Sequence, residues 1–397
     1  MIKKLALLIL GLNLAAVAVP WGAAGSEVDE FLPSNPLEGQ RLFTEKLCIR
    51  CHSIQGAGGK TGPDLGDVWL GSFMDIASQL WNHFPRMNEA FRQARIERPT
   101  LSADEAQQLI TFLYYLNYFD KTANPEVGEA LFREKNCIQC HSVGGKGGHV
   151  GPALDKYQGR YAAPFITAAL WDHGPAMMKK MLARHVVRPT FEDRDVIDIL
   201  AFIREKGLYP GTSRDYVPPG DPRNGRELFQ QKGCTHCHSI NGQGGTLAPD
   251  LAKVGLKGRL SHILSYMWNH GAKMWPLMAK EGIHFPEFTP REMSDLMTYL
   301  YFLEFQDAPG SAPHGKQVFV QKRCAVCHMP AAPGAATIGP NLAKVGFTSR
   351  IKIVAEMWNH SPAIEARMKQ LQIRWPLLDK DEMRDVVEYI LSINKHE

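Results

Sequence analysis

The sequence predicts an all-α protein made of four small tandem units, and three observations support this fold class. A Cys-x-x-Cys-His motif occurs four times along the 397 residues. Similar segments precede and follow each copy of the motif, and fixed-period repetition indicates a repeat architecture. Each unit closes with an amphipathic helical pattern, as at Ser102-Ala103-Asp104-Glu105, which predicts a capping box at a helix start. There is no clear strand run.

The eight cysteines occur only within these motifs, and each second cysteine is followed by histidine. In an exported protein, eight cysteines would ordinarily indicate a disulfide framework. Four identical spacings that use every cysteine instead disfavour both disulfides and zinc, and they predict covalent attachment of haem c. The predicted thioether cysteines are Cys48, Cys51, Cys137, Cys140, Cys234, Cys237, Cys324 and Cys327. The predicted proximal iron ligands are His52, His141, His238 and His328. Four covalently bound haem c groups are therefore expected.

Flanking segments define the repeat. A Gly with an apolar-aromatic pair precedes each motif, and a Gly-rich loop ending in Pro-x-Leu follows it. A backbone carbonyl near that proline is a natural acceptor for the proximal imidazole N–H. A Trp-Asn/Asp-His triplet comes next, and its tryptophan is expected to pack in the core, with its N–H available to a haem propionate. The Pro-x-Leu prolines are Pro63, Pro152, Pro249 and Pro340, and the tryptophans are Trp81, Trp171, Trp268 and Trp358.

The middle repeat is longer than the others because it contains a Pro- and Gly-rich stretch that reads as a stiff linker. We therefore predict two pairs of units, 1 with 2 and 3 with 4. The predicted boundaries are 26–122 and 123–209 for units 1 and 2, 210–220 for the linker, and 221–308 and 309–397 for units 3 and 4.

Residues 1–25 read as a signal peptide. Lys3 and Lys4 precede an apolar run that ends at Pro20, and small residues then offer a cleavage site before Ser26. An uncleaved anchor helix is the alternative. The net charge of +4 gives no reason to expect nucleic acid as a partner. The expectation is a periplasmic protein that is not integral to the membrane once cleaved, with membrane association or extracellular release as alternatives.

Each unit resembles a class I c-type cytochrome domain. The features that carry the resemblance are the Gly-x-x-Leu-Phe helix, the Cys-x-x-Cys-His motif, the Gly-Pro-x-Leu loop and the last helix. The resemblance covers residues 30–395 and implies a compact helical fold around each haem and one-electron transfer. The family commonly supplies its sixth iron ligand from a Met-Pro turn before the last helix. The matching turns here are Arg98-Pro99, Arg188-Pro189, Phe285-Pro286 and Trp375-Pro376. The usual distal ligand is therefore missing from all four units.

Candidates for the distal ligand lie on the preceding helix, for which a break is expected after the histidine, at Pro85, Pro175, Pro362 or Gly271. One histidine recurs at a single register, and methionines follow it on the same helical face. The histidine candidates are His83, His173, His270 and His360. The alternative candidates are Met87, Met177, Met274 and Met368. Unit 4 is irregular because Ile364 replaces the nearer methionine.

The predicted function is electron transfer between a redox-protein donor and a redox-protein acceptor, without enzymatic activity. Two alternatives stay open. In the first, the chain is the cytochrome subunit of a larger respiratory oxidoreductase. In the second, it reduces a substrate such as peroxide at an iron with an open coordination position, for which unit 4 is the best candidate. Nothing in the sequence supports chemistry independent of haem.

Overall fold

The computed structural model describes residues 38–118, 120, 123–156, 162–192, 194–206, 220–256, 259–329 and 337–394. The predicted signal peptide lies outside the described residues. So does the predicted linker except for Gly220, whose backbone N–H donates to Thr298 Oγ1 at 3.0 Å. Gly220 is therefore packed against unit 3.

Unit 1 shows the repeated architecture. Helix α1 (Glu38–Glu45) leads into a 3-10 turn at Cys48–Arg50 and a two-stranded hairpin, β1 (Ser53–Ile54) and β2 (Ala57–Gly58). A long helix α2 (Phe73–Ala94) and a final helix α3 (Ala103–Tyr115) follow. Ser102 and Glu105 form the predicted capping box at the start of α3. The all-α prediction is confirmed, with short hairpins as the only addition in the described residues.

The other units repeat this order. Unit 2 contains α4 (Pro125–Glu134), the 3-10 turn Cys137–Gln139, β3 (Ser142–Val143), β4 (Lys146–Gly147), the 3-10 turn Leu154–Lys156, α5 (Ala163–Ala183) and α6 (Asp195–Lys206). Unit 3 contains α7 (Pro222–Gln231), the 3-10 turn Cys234–His236, β5 (Ser239–Ile240), β6 (Gln243–Gly244), α8 (Leu260–Lys280) and α9 (Pro290–Phe302). Unit 4 contains α10 (Ala312–Gln321), α11 (Ala325–His328), the 3-10 turn Leu342–Lys344, α12 (Arg350–Gln370) and α13 (Lys380–Ser392). Its second cysteine therefore lies in a short α-helix.

In every unit the first helix packs against the last, and the repeated glycine of the first helix makes this possible. A Cβ at Gly39 would collide with the Gln108 carbonyl oxygen of α3. Gly128, Gly225 and Gly315 face a last-helix carbonyl in the same way. Only glycine lets the two backbones approach this closely. The Gly that opens each repeat is thus explained by helix crossing.

The expected break in the long helix is wrong. Helices α2, α5 and α12 continue through Pro85, Pro175 and Pro362, and α8 continues through Gly271. A proline inside a helix leaves the carbonyl four residues earlier without its helical donor. The Trp81 carbonyl accepts from Trp375 Nε1 at 3.1 Å, and the Trp358 carbonyl accepts from Ser361 Oγ at 3.1 Å. These replacement bonds let α2 and α12 continue.

The predicted pairing of unit 1 with 2 and of unit 3 with 4 is also wrong. Helix α2 of unit 1 packs against α12 and α13 of unit 4, and α5 of unit 2 packs against α8 and α9 of unit 3. Both interfaces are reciprocal. Trp81 Nε1 donates to the Pro376 carbonyl at 2.7 Å, and Trp358 Nε1 donates to the Pro99 carbonyl at 2.8 Å. At the other interface, Trp171 donates to Pro286 and Trp268 donates to Pro189, both at 2.8 Å.

The residue before each of these prolines explains the pairing. Units 1 and 2 carry arginine there, whereas units 3 and 4 carry an aromatic residue. The Arg98 guanidinium lies 3.9 Å from the ring centre of Trp358, and Trp375 packs on Trp81 with centroids 4.3 Å apart. The interface between units 2 and 3 repeats this combination, because Arg188 lies over the Trp268 ring and Phe285 packs on Trp171. Each interface thus joins an arginine unit to an aromatic unit, by a cation–π contact and a ring contact.

A third interface joins units 1 and 3. The Phe73 N–H donates to the Phe305 carbonyl at 3.1 Å, and the Leu260 N–H donates to the Tyr118 carbonyl at 2.9 Å. The carboxylate of Asp307 accepts from Ser72 at the start of α2. Asp120 accepts from Ser261, in the corresponding place at the start of α8. These matching contacts relate units 1 and 3 by a pseudo-twofold axis.

The three interfaces place the units in the spatial order 2–3–1–4. The order differs from the order along the chain because the arginine and aromatic faces, rather than chain connectivity, select the neighbours. Units 2 and 4 are the two ends of this arrangement.

Candidate functional site

The histidine of each Cys-x-x-Cys-His motif is held in one orientation. The Nδ1 atoms of His52 and His141 lie 3.1 and 2.9 Å from the carbonyl oxygens of Pro63 and Pro152. The corresponding distances are 2.9 Å from His238 to Pro249 and 3.0 Å from His328 to Pro340. A carbonyl only accepts, so each Nδ1 carries the proton and each Nε2 presents a lone pair. This orientation suits binding of a metal through Nε2.

Unit 1 contains an almost wholly apolar cavity of about 700 Å³, counting its open mouth. Cys48 and His52 line it together with Phe43, Leu109 and Leu113. Val354 and Trp358 of unit 4 complete the wall. The motif therefore opens into a pocket that suits a large, flat apolar group, and the neighbouring unit helps to form that pocket.

None of the eight cysteines forms a disulfide bond. Burial raises the pKa of Cys48, Cys137 and Cys324 to about 11 and that of Cys234 to about 12. Among the described residues no group of three or more His, Cys, Asp or Glu side chains is arranged to hold a metal. The cysteine pairs therefore fit covalent haem attachment and do not fit a protein-ligated zinc ion.

Buried polar atoms provide a second test of fit. Arg98 donates through Nη1 to Asn88 at 2.6 Å and to Ser361, while its Nε and Nη2 are buried without a hydrogen-bond partner in the described structure. Arg188 Nε is likewise buried without a hydrogen-bond partner in the described structure. Unpaired buried donors are costly. Pro99, next to Arg98, lines the unit 1 cavity, so the two free donors suit the carboxylates of a haem in that cavity.

The distal candidates differ in exposure. His83, His173, His270 and His360 are all exposed on the long helices. The Nδ1 atoms of His83, His270 and His360 lie 2.7, 2.9 and 3.0 Å from the carbonyl one turn earlier. Met87, in contrast, lines the same cavity as His52. Met177 and Met274, at the corresponding register, are half-buried against the core.

Unit 4 departs from this pattern. Ile364 packs against the core in the register of Met87, and Met368 is half-buried one turn further on. Burial lowers the pKa of His328. The hydrogen bond to the Pro340 carbonyl raises this pKa and the nearby charge of His360 lowers it, and the net direction is down. The His328 imidazole is therefore held neutral, the form that binds iron.

Two predictions about the surroundings need comment. The carbonyl acceptor near each Pro-x-Leu proline is confirmed. The suggestion that the repeated tryptophans donate to a propionate is wrong, because their N–H groups donate to proline carbonyls of the neighbouring unit.

The sequence reasoning missed a lysine two residues before each motif. Lys46 Nζ donates to the Thr100 carbonyl at 3.0 Å and pairs with Glu105 at 2.7 Å, which ties the motif to the loop before α3. Lys135, Lys232 and Lys322 repeat this arrangement. The signal was visible in the repeat itself, since the lysine occupies the same position in all four units.

These units define a class of protein, helical domains that each hold a covalently attached haem. Four segments match the Cytochrome c family model, at residues 37–117, 125–206, 222–303 and 312–394. The chain therefore belongs to the cytochrome c family and is built from four of its domains. No curated protein and no solved structure matches the chain in comparisons of either kind.

Membership establishes the cofactor and the general activity. The chain carries four covalently attached haem c groups at its four cysteine pairs and takes part in haem-based electron transfer with redox partners. Within the described ranges, no helix combines the length and apolar character needed to cross a bilayer.

Proposed function

We propose that this protein is an exported tetrahaem electron carrier that relays single electrons between a donor protein and an acceptor protein in the periplasm. Haem c supplies a reversible one-electron couple when bound. The observation that carries the proposal is the continuous packing of the four units in the order 2–3–1–4. Unit 4 contributes Trp358 to the wall of the unit 1 cavity, so the unit 1 site is completed by its neighbour.

The polypeptide's contribution is to hold the iron ligands and shield the sites. His52, His141, His238 and His328 are the proposed proximal ligands, presented through Nε2 by their bonds to proline carbonyls. For the distal position we propose Met87, Met177 and Met274 in units 1 to 3. The support is that Met87 lines the cavity, whereas His83 is exposed. A methionine ligand favours a higher potential than a second histidine.

Unit 4 carries the second candidate function. Its register position for the distal methionine holds Ile364, so His360 and Met368 are the remaining ligand candidates. An iron with neither ligand would be open to a small substrate such as peroxide. The alternative that the chain is the cytochrome subunit of a respiratory oxidoreductase predicts stable association with a catalytic subunit.

Low-temperature EPR of the oxidised holoprotein, combined with a coulometric titration, tests the carrier proposal. A carrier takes up one electron per haem, shows only low-spin ferric signals and does not turn over peroxide. A high-spin signal that disappears on adding cyanide, together with peroxide turnover, would instead establish catalysis at an open iron. The His83→Ala variant should keep the wild-type spectrum, whereas Met87→Ala should convert one haem to high spin.

A further inference from the structure

Unit 2 carries an exposed surface with a composition that the other three units do not match. We call the side chains of Lys179, Lys180, Leu182, Arg184 and Val187 the unit 2 patch. They lie at the end of α5 and in the segment that follows it. Leu182 is 68% exposed and Val187 is 79% exposed, and the three cations are also exposed. The Val186 N–H donates to the Met181 carbonyl at 3.0 Å, which folds the segment of Val187 back against the end of α5. Exposed apolar side chains that lie close together mark an interaction site more often than scattered ones do.

The cations of the unit 2 patch are not neutralised. The described structure assigns no ion pair or side-chain hydrogen bond to Lys179, Lys180 or Arg184, and the sequence has no Asp or Glu between Asp172 and Glu192. Along a helix, Lys179 neighbours Leu182 and Lys180 neighbours Arg184, because residues three and four apart share a face. The result is an apolar centre flanked by positive charge.

The corresponding surfaces of the other units have a different character. In unit 1 the end of α2 carries Glu89, which pairs with Arg92 at 2.6 Å. In unit 3 the positions of Lys180 and Arg184 hold Leu277 and Glu281. In unit 4 Lys369 takes the position of Leu182 and is paired with Glu365 of its own helix. Arg374 takes the position of Val187, so the two apolar side chains of the unit 2 patch have no counterpart there. Helix geometry alone therefore does not require the unpaired cations of unit 2.

The location also suits electron exchange. Unit 2 is one end of the 2–3–1–4 arrangement. Met177 and Met181, on the same helix, are half-buried against the core. In unit 1 the equivalents of Met177 and Pro189 are Met87 and Pro99, which line the cavity. The unit 2 patch therefore lies on the outer side of the helix and loop that form the wall of its haem site.

We infer that the unit 2 patch is the docking surface for an acidic one-electron redox protein. Protein–protein interfaces combine an apolar centre with a polar, charged rim. Complementary charge raises the association rate and sets the orientation of the two partners. The inference rests on the proposed relay function, since it identifies the chemistry of one of the two partners and the unit at which that partner binds.

Binding of a plant-type [2Fe–2S] ferredoxin, an acidic one-electron protein, to the tetrahaem holoprotein is the test. Titration calorimetry over a range of salt concentrations should show an affinity that falls with salt. The variant Lys179→Glu/Lys180→Glu/Arg184→Glu should weaken binding about tenfold or more, since three attractive charge contacts are lost and each is replaced by a repulsion. Leu182→Ser/Val187→Ser should weaken binding without changing the salt dependence.

A charge-matched control separates the patch from net charge. Lys60→Glu/Lys146→Glu/Lys316→Glu changes three exposed lysines on units 1, 2 and 4 by the same total charge. The control should retain wild-type affinity. Equal weakening in the control, or no salt-dependent binding to ferredoxin, would overturn the inference. Binding of the patch to vesicles of equal parts phosphatidylcholine and phosphatidylglycerol in place of ferredoxin would assign it to a membrane surface and would also overturn it.

A redox measurement keeps this result independent of the relay proposal. Reduction of each variant by dithionite should remain complete. If the patch variants lose ferredoxin binding but are fully reduced, the inference stands. If the wild-type protein is not reduced reversibly, the relay proposal fails regardless of the binding result.

Discussion

Tyr114 and Tyr301 exchange hydrogen bonds across the interface between units 1 and 3. The phenol of Tyr114 donates to the Tyr301 carbonyl at 2.8 Å, and the phenol of Tyr301 donates to the Tyr114 carbonyl at 2.7 Å. Both rings are fully buried, with centroids 4.7 Å apart, and burial raises the pKa of both phenols. The two residues occupy the same position in the last helix of their units. The exchange therefore lies on the pseudo-twofold axis that joins the halves of the molecule.

Removing one of these phenol oxygens should destabilise the protein. Tyr114→Phe leaves the Tyr301 carbonyl without its donor, and we expect a loss of about 1–3 kcal/mol of unfolding free energy. Urea unfolding followed by far-UV circular dichroism measures it. Tyr266→Phe, at a half-buried position on α8, is the control and should leave the midpoint unchanged. An unchanged midpoint for Tyr114→Phe would contradict the role given to this pair.

The interface between units 1 and 4 depends on Trp81. In Trp81→Phe the ring contact with Trp375 persists but the bond to the Pro376 carbonyl is lost. A buried acceptor without a donor costs about 1–3 kcal/mol. Hydrogen exchange should therefore speed up in α2 and α12, but not in α5 and α8 of the other pair. Trp69→Phe, at a site 46% exposed, should change neither. Faster exchange throughout the molecule would argue against separate interfaces.

Arg98 should influence the potential of one haem. If its buried, unpaired Nε and Nη2 hold haem carboxylates, Arg98→Gln removes a cation that stabilises the reduced state. The midpoint of that haem should fall, by about 59 mV for each 1.4 kcal/mol lost in a one-electron couple. Spectropotentiometric titration measures the shift. Arg98→Lys should restore part of it, and Arg86→Gln, at an exposed position on α2, should have no effect. A rise in the midpoint would exclude this role.

Asp64 should make the unit 1 hairpin sensitive to acid. Burial raises the pKa of its carboxyl, but bonds from Gly56, Ser53, Gly66 and Gln55 together lower that pKa below its ordinary value. A lowered folded-state pKa means that the carboxylate contributes stability above the unfolded pKa. That contribution is lost as the pH falls through the folded pKa.

Amide exchange at Gly56, measured by NMR across the acid range, checks this expectation. Protection should fall as the pH drops below the ordinary range of a carboxyl group. Asp64→Asn should flatten the dependence. Unit 4 has Asn341 at this position, and exchange at Ala343, whose N–H donates to the Asn341 side chain at 3.1 Å, is an internal control without a titrating group. Acid-sensitive exchange that persists in Asp64→Asn would show that another group is responsible.

Much of the local structure could be predicted from the sequence because it is encoded by short, repeated patterns. The four motifs, the capping box at Ser102 and the carbonyl acceptor for His52 each depend on residues close together in the chain. The continuous helix through Pro85 could not be predicted in this way. The Trp375 side chain that satisfies the freed Trp81 carbonyl comes from unit 4.

The arrangement of the units could not be predicted either, because it depends on contacts between parts of the chain that are far apart in sequence. A linker between units 2 and 3 suggested that neighbours in sequence form pairs, whereas the pairs are selected by surfaces. The contrast between Arg98 and Trp375 before equivalent prolines was visible in the sequence. It gained meaning only when the cation–π contact of Arg98 with Trp358 placed it at an interface. The sequence pattern favoured the histidine of the distal position, because His83 recurs in every unit whereas Met87 is replaced by Ile364 in unit 4. The structure favours Met87, which lines the cavity.

The relay itself is tested most directly by injecting less than one electron per molecule and following its redistribution. A flash-excited ruthenium complex, free in solution, reduces the oxidised holoprotein, and the haem absorbance is then recorded over time at several protein concentrations. The account predicts a redistribution phase whose rate does not depend on protein concentration, because the electron moves among units packed in one molecule. It also predicts that this phase slows in Tyr301→Arg, which separates units 1 and 3. A redistribution rate proportional to protein concentration would mean that electrons move only between molecules, and it would contradict the relay.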